Sequence, residues 1–172
     1  MDFLTLSAER YSVRKFKATP VEQEKIDKIL KAAQLAPTAC NFQPHRILVI
    51  NNEISLSKLK KCTKWHFDCP LAVLVCYNKD ESWTRRYDNT QSGVVDASIV
   101  TTHMMLEATE LGIGSTWVMS FDPDALISEF EIPGNIEPVA LLVMGYPADD
   151  ARPNAMHTQY KDLSETVSYN EF

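Results

Sequence analysis

The sequence is poor in glycine, with five in 172 residues, and no G-x-G-x-x-G run follows a strand pattern. Gly112-Ile113-Gly114 is the nearest match. It follows a helical pattern and precedes a strand, the reverse of what a Rossmann dinucleotide site needs. No cysteines are spaced C-x-x-C, so Cys40, Cys62, Cys69 and Cys76 read as reduced thiols. Cys62, His66 and Cys69 lie close together, but three ligands at that spacing match no zinc pattern, and no metal is expected. No apolar stretch approaches the roughly 20 residues of a membrane span. Met1-Asp2-Phe3 lacks the basic start of a secretory signal, and a cytoplasmic location is expected. Positive charge is not in excess. A net charge of −6 argues against general binding to nucleic acid or to an acidic membrane. Internal repeats, low-complexity tracts and linkers are absent.

The remainder reads as one globular domain over residues 1–172, because 45% hydrophobic residues suffice for a core at this length. Phe3, Leu4 and Leu6 predict a brief helix. Thr19 and Glu22 read as a capping box with Pro20 at the first helical position. Ile26, Ile29, Leu30 and Ala33 continue that helix until Pro37 stops it. Residues 38–45 form a loop of small and amide side chains, followed by a strand over Arg46–Ile50 and a helix opened by Asn52. Leu71–Tyr77 is continuously apolar and predicts a strand buried on both faces. Residues 78–91 are polar and predict a mobile excursion, either a plain surface loop or a lid. Gly93–Leu111 predicts the central core helix, stopped by Gly112. Ser115–Met119 and Val139–Met144 read as strands, with a helix capped by Asp122-Pro123 between them. The tail after Gly145 has no core of its own and must lie across something, such as a partner subunit.

One short stretch carries concentrated charge. In Arg10-Tyr11-Ser12-Val13-Arg14, an extended backbone would point Arg10, Ser12 and Arg14 to one side. Two guanidinium forks flanking a hydroxyl suit a small anion with several oxygens, such as a phosphate. The alternative is a solvated, charged turn.

Strands alternating with helices would by themselves suggest a doubly wound parallel sheet. Four segments point elsewhere. Arg10-Tyr11-Ser12-Val13-Arg14 resembles the R-R-S-x-R opening of the nitroreductase family of flavin enzymes. Residues 36–44 (A-P-T-A-C-N-F-Q-P) resemble that family's A-P-S/T-x-x-N-x-Q-P loop. Residues 111–117 (L-G-I-G-S-T-W) resemble its L-G-x-G-x-x-W segment, and Gln159-Tyr160-Lys161-Asp162-Leu163 resembles its basic C-terminal motif. The four occur in the family's order across residues 10–163.

The resemblance implies an α+β fold: a mixed, largely antiparallel sheet surrounded by helices, with a long central helix and a C-terminal segment exchanged in a homodimer. It implies FMN at the subunit interface. Arg10 and Ser12 would meet its phosphate and ribityl end, with Tyr11 between them also among the cofactor-binding residues; Lys161 would join the phosphate, and Arg14 would reach the polar edge of the ring. Pro37, Thr38, Ala39, Asn41 and Gln43 would approach from the other subunit, while Trp117, Val118, Met119 and Ser120 would line the other ring face. The implied activity is reduction of nitroaromatic, quinone or similar small acceptors by NADH or NADPH, in two successive half-reactions with no obligatory catalytic side chain. Flavin-fragmenting or dehalogenating chemistry, and a non-catalytic flavin-binding role, are the alternatives. The chain departs from the family's pattern at His45, where Trp is frequent, at Met119-Ser120, where larger members carry Glu-Gly, and at Tyr160, where a basic residue is common.

Overall fold

A computed structural model describes residues 2–172. Three layers stack: two helices, a four-stranded sheet and two further helices. The strands are β1 (His45–Ile50), β2 (Leu71–Asn78), β3 (Gly114–Val118) and β4 (Ile136–Gly145). They run in the order β1-β2-β4-β3, and every neighbouring pair is antiparallel. Among the described residues, a parallel pairing occurs only as an isolated bridge between Ser12 and Ser115. The sheet is therefore of the α+β type, not a doubly wound parallel one.

The two faces of the pleat feed two cores. Leu71, Val73, Val75, Leu142 and Met144 face α2 (Gln23–Leu35) and α4 (Gly93–Glu110). Ala72, Leu74, Cys76, Leu141 and Val143 face α3 (Glu53–Cys62) and α5 (Pro123–Phe130). Every residue of β2 is buried, as its unbroken apolar run requires. Two shorter helices, α1 (Phe3–Glu9) and α6 (Leu163–Thr166), lie near the termini.

Helix α2 buries Ile26, Ile29 and Ala33 along one stripe. It starts later than the sequence suggests. Glu22, not Thr19, is the N-cap; its side chain makes no capping bond, and Pro20 lies outside the helix. The Glu22 carboxylate instead accepts the Tyr146 hydroxyl at 2.5 Å, and Val21 is buried, so tertiary contacts set the start.

Helix α4 is central because its small residues allow close packing. Ala97, Thr101 and Ala108 are fully buried. The hydroxyls of Ser98, Thr101, Thr102 and Thr109 each donate to a carbonyl four residues back, which satisfies the buried Thr101 within the helix itself. Gly112 ends the helix at φ +74, with Gly112 N–H bonded to Thr109 O and Ile113 N–H to Ala108 O. At its other end Gly93 lies under the Tyr77 ring; a Cβ there would sit 1.9 Å from Tyr77 Cδ2.

Residues 78–91 close on themselves. Thr84 bridges Gln91, Ser92 N–H bonds Trp83 O at 2.8 Å, and Arg85 pairs with Asp88. No helix among the described residues is long and apolar enough to cross a membrane.

Candidate functional site

The Arg10–Arg14 stretch lies along the β3 edge of the sheet. Val13 N–H bonds Ser115 O at 3.0 Å, and the Thr116 hydroxyl donates to Val13 O. Val13 is buried beneath this seam. Farther along, Lys17 N–H bonds Tyr146 O and Ala148 N–H bonds Lys15 O, so the arm is clamped from both sides. This arm is where the sheet edge at β3 finds a partner.

The expected grouping of Arg10, Ser12 and Arg14 on one side is only partly met. Ser12 and Arg14 share a cleft of about 300 Å³ with Lys15, Asp150, Arg152 and Asn154. Arg10 lines a separate hollow with Tyr11, Thr109, Gly112 and Gly114. Arg10 is still tied to α1 as its C-cap, with its N–H on Leu6 O. Arg14 Nη1 donates to Ser12 O at 3.3 Å. Among the described residues, no acid pairs with Arg10, Arg14 or Lys161, although the chain carries six more acids than bases.

The C-terminal tail returns to this arm. His157 meets the Tyr11 ring edge-on at 6.2 Å, and its Nε2 lies 3.1 Å from Ala8 O. Lys161, four residues on, is exposed and borders neither hollow. Arg152 beside Arg14 has no counterpart in the sequence reading. It follows Ala151 in a tail whose path the local pattern does not encode.

The Pro37–Gln43 loop is built around non-glycine residues in left-handed backbone. Cys40, Asn41 and Gln43 have φ of 49°, 56° and 51°. Thr38 O accepts Asn41 N–H, and Thr38 Oγ1 accepts Gln43 N–H at 3.1 Å. Ala39 N–H donates to the carboxylate of Asp96 at 2.9 Å. Asn41, Phe42 and Gln43 are exposed, so their side chains are open to a ligand. Next to the loop, burial and the neighbouring Arg46 push the His45 imidazole below its ordinary range, against the opposing effect of Asp96. Its Nδ1 is buried with no hydrogen-bond partner among the described residues.

Trp117 and Val118 end β3. Trp117 is half-buried, its indole N–H buried with no partner among the described residues, and Val118 points into the other core. Met119, expected within this strand, lies just beyond it and is exposed, because the last β3–β4 pair is Val118–Leu141. Ser120 O accepts the Thr63 hydroxyl at 2.7 Å, which ties this end of β3 to the end of α3. Cys62 and Cys69 are buried free thiols. Burial pushes Cys69 up to about 11.

The two halves of the expected site are far apart in one protomer. The Arg10 hollow touches the C-terminal end of α4 at Thr109, while the Asn41 loop is bonded to Asp96 in its first turn. At 1.5 Å per residue, that is about 20 Å along the helix. They also flank opposite edges of the sheet, β3 and β1.

A donor set of guanidinium groups without an acid partner among the described residues, exposed amides and a half-buried indole suits a phosphorylated aromatic cofactor. The comparisons agree with that chemistry. The Nitroreductase family model matches residues 8–68 and 57–146. A protein of Archaeoglobus fulgidus, named for NADH dehydrogenase and NAD(P)H nitroreductase activity, is 34% identical over 148 residues, or 82% of this chain and 83% of its own. A crystal structure of a nitroreductase family protein from Clostridium difficile is 44% identical, covers 100% of both chains and superposes with a TM-score of 0.95. An FMN-dependent nitroreductase of Clostridium difficile is 26% identical with a TM-score of 0.77, over 99% of this chain and 100% of its own.

Proposed function

The chain belongs to the nitroreductase family, and from that premise we propose that it is an FMN-dependent NAD(P)H oxidoreductase working as a homodimer. When bound, FMN supplies the centre that takes a hydride from the nicotinamide and passes reducing equivalents to a small acceptor such as a nitroaromatic or a quinone. The residues divide the work. Arg10, Tyr11 and Ser12 hold the phosphate and ribityl end, joined by Lys161. Arg14 faces the ring's polar edge and favours the reduced, more negative state. Pro37, Thr38, Ala39, Asn41 and Gln43 offer backbone and amide groups from the partner protomer, and Trp117, Val118 and Met119 form a shelf for the ring.

The observation that carries this reading is the separation of about 20 Å along α4 between the Arg10 hollow and the Asp96-bonded loop. One flavin ring cannot span both in a single protomer, whereas a second copy placed against the first can supply the missing half. The tail supports the same arrangement. Tyr160, Leu163, Val167, Tyr169 and Phe172 are all exposed, which is costly for an isolated chain. Strand β1 offers a free edge beside an apolar groove of about 380 Å³ lined by Leu48, Leu74, Phe130 and Ile132, a suitable seat for a partner's tail.

The deciding experiment loads the purified protein with FMN and follows NADH and NADPH consumption with a nitroaromatic and a quinone, across a dilution series. Turnover with at least one acceptor, and FMN release as dimers dissociate, are expected. A monomer that retains FMN would refute the shared site. Bound FMN without NAD(P)H oxidation would leave a binding protein in place of an enzyme.

A further inference from the structure

We propose that Asp96 is the positioning residue of the Pro37–Gln43 loop: acting through the amide of Ala39, it holds Asn41 and Gln43 where they can meet a flavin ring, an inference that rests on the function proposed above. Asp96 touches no expected ligand atom itself. Among the described residues it is the one buried charged side chain, at 2% exposure.

A carboxylate so deeply buried must be compensated by donors. Three sources are present. Ser92 Oγ donates at 2.7 Å, Ala39 N–H donates at 2.9 Å, and the first turn of α4 provides the positive end of the helix dipole. Ser92 and the dipole belong to the start of the same helix. Ala39 lies 57 residues away in sequence and is the only one of the three that reaches the loop.

The loop needs such an anchor. Cys40, Asn41 and Gln43 occupy left-handed backbone without being glycine, which is unfavourable unless the surroundings enforce it. The bonds inside the loop, Asn41 N–H to Thr38 O and Phe42 N–H to Ala39 O, fix its shape but not its place. At the loop's exit, Arg46 Nη1 donates to the carbonyls of Gln43, Pro44 and His45, and Nη2 pairs with Glu81 at 2.5 Å. That clasp is about half exposed on both partners, 43% and 46%, and solvent weakens it. The buried anchor at Asp96 therefore dominates the exposed one at Arg46.

The test compares Asp96→Ala, Asp96→Asn and Glu81→Gln. Two quantities are measured: amide hydrogen exchange of residues 38–43 in the flavin-free protein, and the FMN dissociation constant. Asp96→Ala should speed loop exchange and weaken FMN binding by about tenfold or more, since a bond to a charged acceptor is lost. Asp96→Asn keeps an oxygen that accepts from Ala39 and should stay within about threefold of wild type. Glu81→Gln should change either quantity less than about twofold.

If Asp96→Ala does not fold, Ala39→Pro removes the same donor. Thr38 already has φ −133° and ψ 159°, the extended conformation a following proline demands. The same loosening is then expected. Loop exchange within twofold of wild type in either variant would overturn the proposal, as would Asp96→Asn matching the damage of Asp96→Ala. A wild-type protein that takes up no FMN would sink the functional reading alone, because exchange in the flavin-free protein still decides the anchor.

Discussion

Gly114 passes so close to Val13 that a Cβ at position 114 would lie 2.6 Å from Val13 Cγ2 and 3.0 Å from Pro147 Cγ. The arm that carries Arg10, Ser12 and Arg14 is seated on β3 by that contact and by the Val13–Ser115 bond. Gly114→Ala should therefore lift the arm and cost about 1–3 kcal/mol of stability through overpacking. Urea midpoints read the loss. An unchanged midpoint would show that the arm is not packed this tightly.

Removing either guanidinium should produce a different defect. Arg10→Ala deletes a charge-assisted contact to the phosphate and should weaken FMN binding by about 1.5–3 kcal/mol, measured by fluorescence titration. Wild-type affinity would remove Arg10 from the site.

Arg14→Ala should instead lower the reduction potential of the bound flavin, because a cation near the developing negative charge is gone. Potentiometric titration of the holoprotein checks this, and an unmoved potential would place Arg14 away from the ring.

Thiol counting separates the cysteines. Cys40 is exposed at the loop, whereas Cys62, Cys69 and Cys76 are buried. Burial pushes Cys69 up to about 11 and Cys76 up to about 12, so neither forms thiolate at neutral pH. Native protein should react rapidly at one thiol and the unfolded chain at four. Saturating FMN should slow the single native reaction.

The turn at residues 85–90 should come apart only in strong acid. The Arg85 guanidinium holds the Asp88 carboxyl at about 2, below its reference of 3.8. A depressed folded-state value means that the clasp contributes fully above pH 3.8 and is lost as pH falls through about 2. The Thr90 amide, which donates to Asp88 at 3.1 Å, should report that transition by NMR. Asp88→Asn should abolish it.

The elements with strong internal patterns were readable in advance. The apolar run of β2, the stripe of α2, the Asp122 cap and the Gly112 stop all depend on neighbours in sequence. The start of α2 was not, because a hydroxyl from Tyr146 holds Glu22 across 124 residues. Sheet order also escaped local pattern; antiparallel pairing was expected only through the family resemblance. In the candidate site, the side chains that present themselves outward formed motifs, while the one that anchors them did not. Asp96 reads as one of three acids on a largely apolar helix, with Glu107 and Glu110, and its partner Ala39 has no side-chain signature at all.

The long helix at the centre of the molecule has a consequence for heat inactivation. Its first turn moors the loop, its last turn borders the Arg10 hollow, and its middle is the core itself. Within one protomer, the loop and the Arg10 hollow should then lose order together with that helix. At concentrations that keep the dimer and its flavin together, colour, turnover and helical circular dichroism should fall in one transition on warming.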